Sequence, residues 1–155
     1  MMIAVIYPGE MIIAIVPAII LLAISASRVD TAIVLFAGGF VAWALCEYLV
    51  HRFVLHDLVH TGHRLHHTSP DEPVLVIFWQ IWACFAVVYF IVGGVFLAGT
   101  LIAHAWYLFV HHAAHGQDKV PARLLLHHAD HHRLATRNYG VSTTFWDRVF
   151  GTMLR

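Results

Sequence analysis

Residues 31–56 read TAIVLFAGGFVAWALCEYLVHRFVLH. The first twenty positions carry a single charge, Glu47, and the run closes on His51 and His56. A helix needs about 20 apolar residues to cross roughly 30 Å of hydrocarbon, so this stretch reads as a membrane span with histidines at its exit. Upstream, 8–27 is apolar around Pro17, which predicts a kink. Glu10 precedes its apolar core and no Lys or Arg does, unlike a signal peptide, so it reads as a retained membrane segment. Downstream, 74–92 and 95–110 complete four apolar spans. The apolar cores of the first and fourth are short, which allows partial or tilted crossing. Arg28, Val29 and Asp30 join the first two spans and Gly93 and Gly94 the last two. Links this short predict antiparallel neighbours, and Pro70, Asp71, Glu72 and Pro73 mark a turn before the third span.

Composition agrees. The chain has 155 residues, 60% hydrophobic and 12% charged, against about 25% charged in a soluble domain. That is too little charge to coat a surface in water. Net charge is zero, with no basic excess for nucleic acid. Cys46 and Cys84 lie in apolar runs and read as packing residues rather than as a disulfide or a reactive thiol.

If all four spans cross, 51–73 and 111–155 emerge on one side. Those two stretches hold thirteen of the fourteen histidines and eight of the nine basic residues. The positive-inside rule then puts the histidine face in the cytoplasm. The fold class read here is all-α: an integral membrane four-helix bundle, 1–155 as a single domain, with a cytosolic helical cap of 51–73 and 111–155 holding a di-metal site.

Four clusters carry the chemistry: His51 and His56; His63, His66 and His67; His111 and His115; His128, His131 and His132. Helical residues three and four apart share a face, so each of the last three clusters points one way. His51 and His56, five apart, overshoot one face by about 140° and converge only if the helix ends or bulges between them. Ten imidazoles exceed the needs of one ion; two ions take about five each and keep open positions for oxygen or substrate. Imidazole suits zinc, copper, iron and nickel. A closed structural zinc site prefers four ligands, usually with cysteine, and fits badly. Metal-bound histidines need an acceptor on the other ring nitrogen. The candidates for that supporting shell are Glu47, Asp57, Asp130 and Asn138, with His60, His112 and His127 beside the clusters. His104, inside the fourth span, is expected to hydrogen-bond a neighbouring helix rather than to line a substrate cavity.

These residues resemble the fatty acid hydroxylase superfamily, also called the sterol desaturase family. The matching runs are EYLVHRFVLH (Glu47–His56), HRLHHTSP (His63–Pro70), His111–His115, and HHADHHRLATRNYGVSTTFWDRVFGT (His127–Thr152). The resemblance implies a four-helix membrane fold with a cytosolic helical lobe and a non-haem centre of two iron ions, which zinc can replace in a purified sample. O2 is then the co-substrate and a C–H bond of a membrane lipid, foremost a fatty acyl chain, the target. Carried residue by residue, the ligands are the same ten histidines, and Asn138, Trp146 and Asp147 shape the site or the fold. The implied partners are a lipid from the bilayer and a separate electron donor of ferredoxin or cytochrome b5 type, because no fused cytochrome b5-like domain is present. Carotenoid hydroxylation and sterol or lipid desaturation are the alternatives on the same scaffold. A metal transporter would place ligands inside the spans, and a haem protein needs only one or two axial ligands.

Overall fold

The structure is a computed structural model. It describes residues 3–26, 28–57, 60–69, 78–116 and 120–154, without the side chains of 3–8, 60–62 and 78–79. The described residues are all-helical: α1 (Ile3–Ser25), α2 (Val29–Leu49), a π-helical turn (Val50–Leu55), α3 (His60–Thr68), α4 (Phe78–Val92), α5 (Gly94–His115), α6 (Ala122–Arg133) and α7 (Phe145–Val149).

Hydrophobicity is arranged inside out. The core where α1, α4 and α5 meet is built largely of small residues, Ala14, Ala18, Ala98 and Ala105 with Leu97, Leu101 and Phe85. The larger branched and aromatic side chains face outward, among them Ile12, Ile20, Ile24, Val34, Phe90 and Ile91. Lipid is as apolar as leucine, so nothing drives such side chains inward, and close packing of small residues holds the helices instead. This pattern, with two helices long and apolar enough to cross a bilayer among the described residues, Val29–Leu55 and Gly94–His115, makes the protein membrane-associated.

Helix α5 is the axis. Both α1 and α2 lie along it, although the short link between them predicts that α1 and α2 pack on each other. Helices α2 and α5 run parallel, with Phe36 against Gly99 and Trp43 against His104. They touch backbone to backbone. A Cβ on Gly39 would stand 2.0 Å from the Phe96 carbonyl oxygen, and one on Gly99 would stand 2.0 Å from that of Phe36. Gly93, at φ 98°, is the one-residue hinge between α4 and α5, a left-handed conformation that favours glycine.

The spans depart from the sequence boundaries in three places. The second does not stop at 50 but continues through the π-turn to Leu55, because the histidine run stays helical. The fourth is the longest of the pair joined at Gly93, reaching His115. The first begins earlier than 8, since α1 runs from Ile3 to Ser25, while the third is described as α4 from Phe78 to Val92, with 74–77 outside the described residues. Helix α1 continues through Pro17.

Candidate metal centre

Because α2 and α5 are parallel, both deliver their C-terminal histidines to the same end of the molecule, where α3 and α6 close over them. The π-turn does the first piece of work. An α-helix would splay His51 and His56 by about 140°. The wider π-turn closes its bonds at five residues and brings the two rings to 5.1 Å between centroids.

The ten imidazoles then divide into two groups. His51, His56, His63, His67 and His131 form one, with ligand nitrogens all within 4.8 Å of each other. His66, His115, His128 and His132 form the other under the same limit. His111 joins that second group, its Nε2 3.1 Å from that of His66 and its ring 5.1 Å from that of His128. The division crosses the clusters. Helix α3 sends its i, i+4 pair His63 and His67 to the first group and His66 to the second. Helix α6 does the reverse, sending His128 and His132 to the second and His131 to the first.

The spacing is that of a coordination shell. His63 Nε2 lies 2.9 Å from His51 Nε2, 3.0 Å from His56 Nε2 and 3.1 Å from His67 Nε2. A ring nitrogen holds one proton or one lone pair, so it cannot serve three partners by hydrogen bonding. Nitrogens about 2.0–2.1 Å from one ion and at right angles to each other stand about 3.0 Å apart, against about 3.4 Å for a tetrahedron. In the second group His128 Nε2 is 3.0 Å from His115 Nε2 and 3.1 Å from His132 Nε2. Both groups fit an ion of more than four ligands.

The electrostatics agree with that. Burial first, then the crowd of neighbouring imidazoles, holds His63 down to about 2 and His67 to about 4. Burial does the same to His131 and His132, both at about 3, and pushes His128 well below the ordinary histidine range. These rings are neutral at physiological pH with lone pairs free for metal.

Two rings of the first group are aimed by backbone. His51 Nδ1 donates to the Tyr139 carbonyl at 2.5 Å and His131 Nδ1 to the Arg137 carbonyl at 2.7 Å. Each bond fixes the tautomer that leaves Nε2 facing the cage. The loop carrying those carbonyls is itself held by buried acids. Asp147 accepts from Tyr139 N, Gly140 N, Thr152 Oγ1 and His127 Nε2. Burial alone would raise its carboxyl, but these bonds, led by His127, hold it below the usual carboxylate range. Glu47 accepts from Val141 N at 2.6 Å, from Ser142 N, and from the Ser142 hydroxyl. Asn138, left-handed at φ 57° as its side chain tolerates, ties the His127 carbonyl to Leu154 N.

The proposed supporting residues therefore act less directly than their spacing suggests. Glu47 holds the 141–142 loop and touches no imidazole among the described contacts, and His127 pairs with Asp147. Asp130 is taken up by Arg133 at 3.0 Å on the surface. Asp57 is exposed, and His112 lies half-buried outside both groups. The His60 side chain is outside the described residues. The acceptors that do orient ligands, Tyr139 and Arg137, act through main-chain carbonyls, which leave no residue-type signature.

Cavities flank the cage on both sides. A cleft of about 420 Å³ exposes His56, His63, His67 and His132 beside Arg64 and Arg133. A largely apolar cavity of about 340 Å³ between α2, α4 and α5 runs from His51 to Trp43 and His104. Cys46 and Cys84 line it as exposed free thiols rather than packed ones. His104 lines it too, with no hydrogen bond to another helix from its Nδ1.

The family model described as fatty acid hydroxylase matches residues 36–152. The chain belongs to the fatty acid hydroxylase family. This fatty acid hydroxylase chain is 30% identical to dihydroceramide fatty acyl 2-hydroxylase FAH2 of Arabidopsis thaliana, over 76% of this chain and 59% of that protein. It is 28% identical to fatty acid 2-hydroxylase of Rattus norvegicus, over 77% of this chain and 39% of that protein. The chain thus spans about two-fifths to three-fifths of the length of these curated relatives. The solved structure of full-length scs7p, with only its hydroxylase domain visible, superposes with a TM-score of 0.71 at 25% identity, covering 92% of this chain and 63% of that one. The matched segment holds all ten clustered histidines of this fatty acid hydroxylase chain.

Proposed function

We propose that the protein is an oxygen-dependent hydroxylase of a fatty acyl chain in a membrane lipid, with two iron ions held by the two histidine groups. The observation that carries this reading is a shared wall. His51 belongs at once to the first histidine group and to the apolar cavity, so a hydrocarbon chain in that cavity lies against the metal site. His51, His56, His63, His67 and His131 would hold one ion, and His66, His111, His115, His128 and His132 the other. When bound, the metals supply the activation of O2 that inserts one oxygen atom into a C–H bond. The protein's part is positional. Val50, Val54, Leu55 and Ile81 wall the cavity and exclude water from the reacting carbon. The Tyr139 and Arg137 carbonyls keep the His51 and His131 rings in one tautomer. No side chain is needed as a general base, in keeping with a cage of neutral imidazoles.

The names of the relatives support the 2-position of an acyl chain, free or amide-linked in a ceramide, as the target. We place the apolar helices as four crossings of the bilayer in one domain spanning 1–155, with the histidine face cytoplasmic beside Arg52, Arg64 and Arg133. Electrons come from a separate ferredoxin- or cytochrome b5-type donor, for which the cleft with Arg64 offers a polar approach.

Mass spectrometry of lipids from cells with and without the gene tests the reading. A species one oxygen atom heavier, lost in His131→Ala together with bound metal, is expected. A product lighter by two hydrogens would instead assign desaturation, and unchanged lipids would overturn the proposal.

A further inference from the structure

The apolar cavity contains a polar pair that acyl hydroxylation does not use. His104 precedes His111 by seven residues on α5, and Trp43 on α2 precedes His51 in the π-turn by eight. At about 1.5 Å per residue both sit roughly 10–12 Å deeper than the ligands on their own helices, well inside the membrane segment. Their rings meet edge to face with centroids 4.7 Å apart, and Phe85 lies 5.3 Å from His104. His104 is 6% exposed. Its Nδ1 and the Trp43 Nε1 are buried with no hydrogen-bond partner, and both residues line the cavity. An unmet buried polar atom costs about 1–3 kcal/mol, and histidine inside a membrane segment is costly and marks function.

We propose that His104 and Trp43 form a second recognition point, which selects a lipid whose hydrocarbon chain carries a hydroxyl group well beyond the carbon presented to the histidine cage. The indole N–H only donates, whereas a neutral imidazole nitrogen can accept. Both atoms are sealed from the cavity, so a hydroxyl answers them by parting the edge-on rings, accepting from Trp43 Nε1 and donating to His104 Nδ1. An extended chain advances about 1.2 Å per single bond, so the 10–12 Å offset corresponds to roughly eight to ten bonds. Beyond its walls of Ile81, Val50, Val54 and Leu55, the cavity gives a plain hydrocarbon no reason to need either polar atom. The inference rests on the acyl-hydroxylase reading and specifies its substrate.

The test uses the full, metal-loaded chain in lipid nanodiscs. Radiolabelled N-hexadecanoyl dihydrosphingosine is displaced by analogues whose acyl hydroxyl is moved one carbon at a time. Affinity should peak about tenfold above the unsubstituted lipid when the hydroxyl is roughly eight to ten bonds from the oxidised carbon. His104→Leu should erase the peak, bringing the hydroxylated analogues down to the affinity that the same variant shows for the unsubstituted lipid, with bound metal retained. Trp43→Phe, which keeps the ring and deletes the N–H, reads the same point should the first variant not fold. A flat profile in the native protein overturns the proposal and shows that the edge-on ring contacts alone satisfy these atoms; a peak that survives both variants does so too. A flat profile with the unsubstituted lipid still hydroxylated leaves the acyl reading standing, whereas failure of that lipid to bind or react removes both.

Discussion

Asp147→Asn changes one atom and no volume, and the structure gives the size of its effect. Asp147 is fully buried. Its Oδ1 accepts from Tyr139 N at 2.9 Å and Thr152 Oγ1 at 2.7 Å, its Oδ2 from Gly140 N at 2.8 Å and His127 Nε2 at 2.9 Å. In asparagine one oxygen becomes an NH2 group. Whichever way the amide turns, one backbone N–H, that of Tyr139 or of Gly140, then faces a donor, and the Thr152 hydroxyl or the His127 ring must turn or change tautomer to accept. A hydrogen bond to a charged group contributes about 1.5–3 kcal/mol, so with one such bond necessarily lost the variant should lose roughly that much local stability. The damage is aimed, because the Tyr139 carbonyl orients His51. The first histidine group should lose about 10–100-fold in metal affinity, as losses behind a ligand do, and the second should hold its ion. Chelator competition with metal counting, beside thermal unfolding, reads both quantities. Retention of two ions at native affinity, with destabilisation below about 1 kcal/mol, would refute the claim that this carboxylate supports the cage.

Glu47→Gln should act on the same loop from the membrane side, lowering metal affinity or turnover by about 10–100-fold; unchanged kinetics would make Glu47 a packing group only. Gly99→Leu should separate α2 from α5, since its Cβ meets the Phe36 carbonyl oxygen at 2.0 Å; loss of the folded chain on detergent extraction is expected, and a native melting curve would contradict the parallel contact. The metal-free protein should weaken as pH falls. His63, His67, His131 and His132 have folded values of about 2 to 4 against about 6.5 unfolded, so below 6.5 the unfolded chain binds more protons. The stabilisation is complete above that point and is lost progressively down to the lowered values, by at most about 1.4 kcal/mol per pH unit for a fully shifted ring and less for the half-buried His67 and His132. A flat stability curve between pH about 6.5 and 4 would contradict the burial of these imidazoles.

The ten histidines were legible because helical spacing is a strong signal: His63, His66 and His67, or His128, His131 and His132, can only share a face. Their partition was not. Spacing says that three rings point one way, but which ring reaches which ion depends on how α3 and α6 cross, a tertiary fact. The same holds for Glu47. Its charge at the end of an apolar run announced a buried role, yet its partners, Val141 N and Ser142, lie more than ninety residues away. His104 was weighed as a link between helices because a lone polar residue in a span usually finds a neighbour; only the packing around it reveals that its Nδ1 is buried without a hydrogen-bond partner. Four apolar runs were readable by composition, but their packing on α5 was not, because the choice was made by Gly39 and Gly99, whose value lies in what they lack.

The π-turn at Val50–Leu55 has a consequence for how such a chain can vary. A π-turn accommodates one residue more than the α-helix it interrupts. Upstream of it, the angular phase of α2 is set by which side chains meet lipid; downstream, by where two imidazoles must converge. The surplus residue works as a phase shifter between them, so either half can drift in rotation without dragging the other. A single deletion inside the turn would lock the two phases together and swing His56 out of the cage while every ligand remained in the sequence.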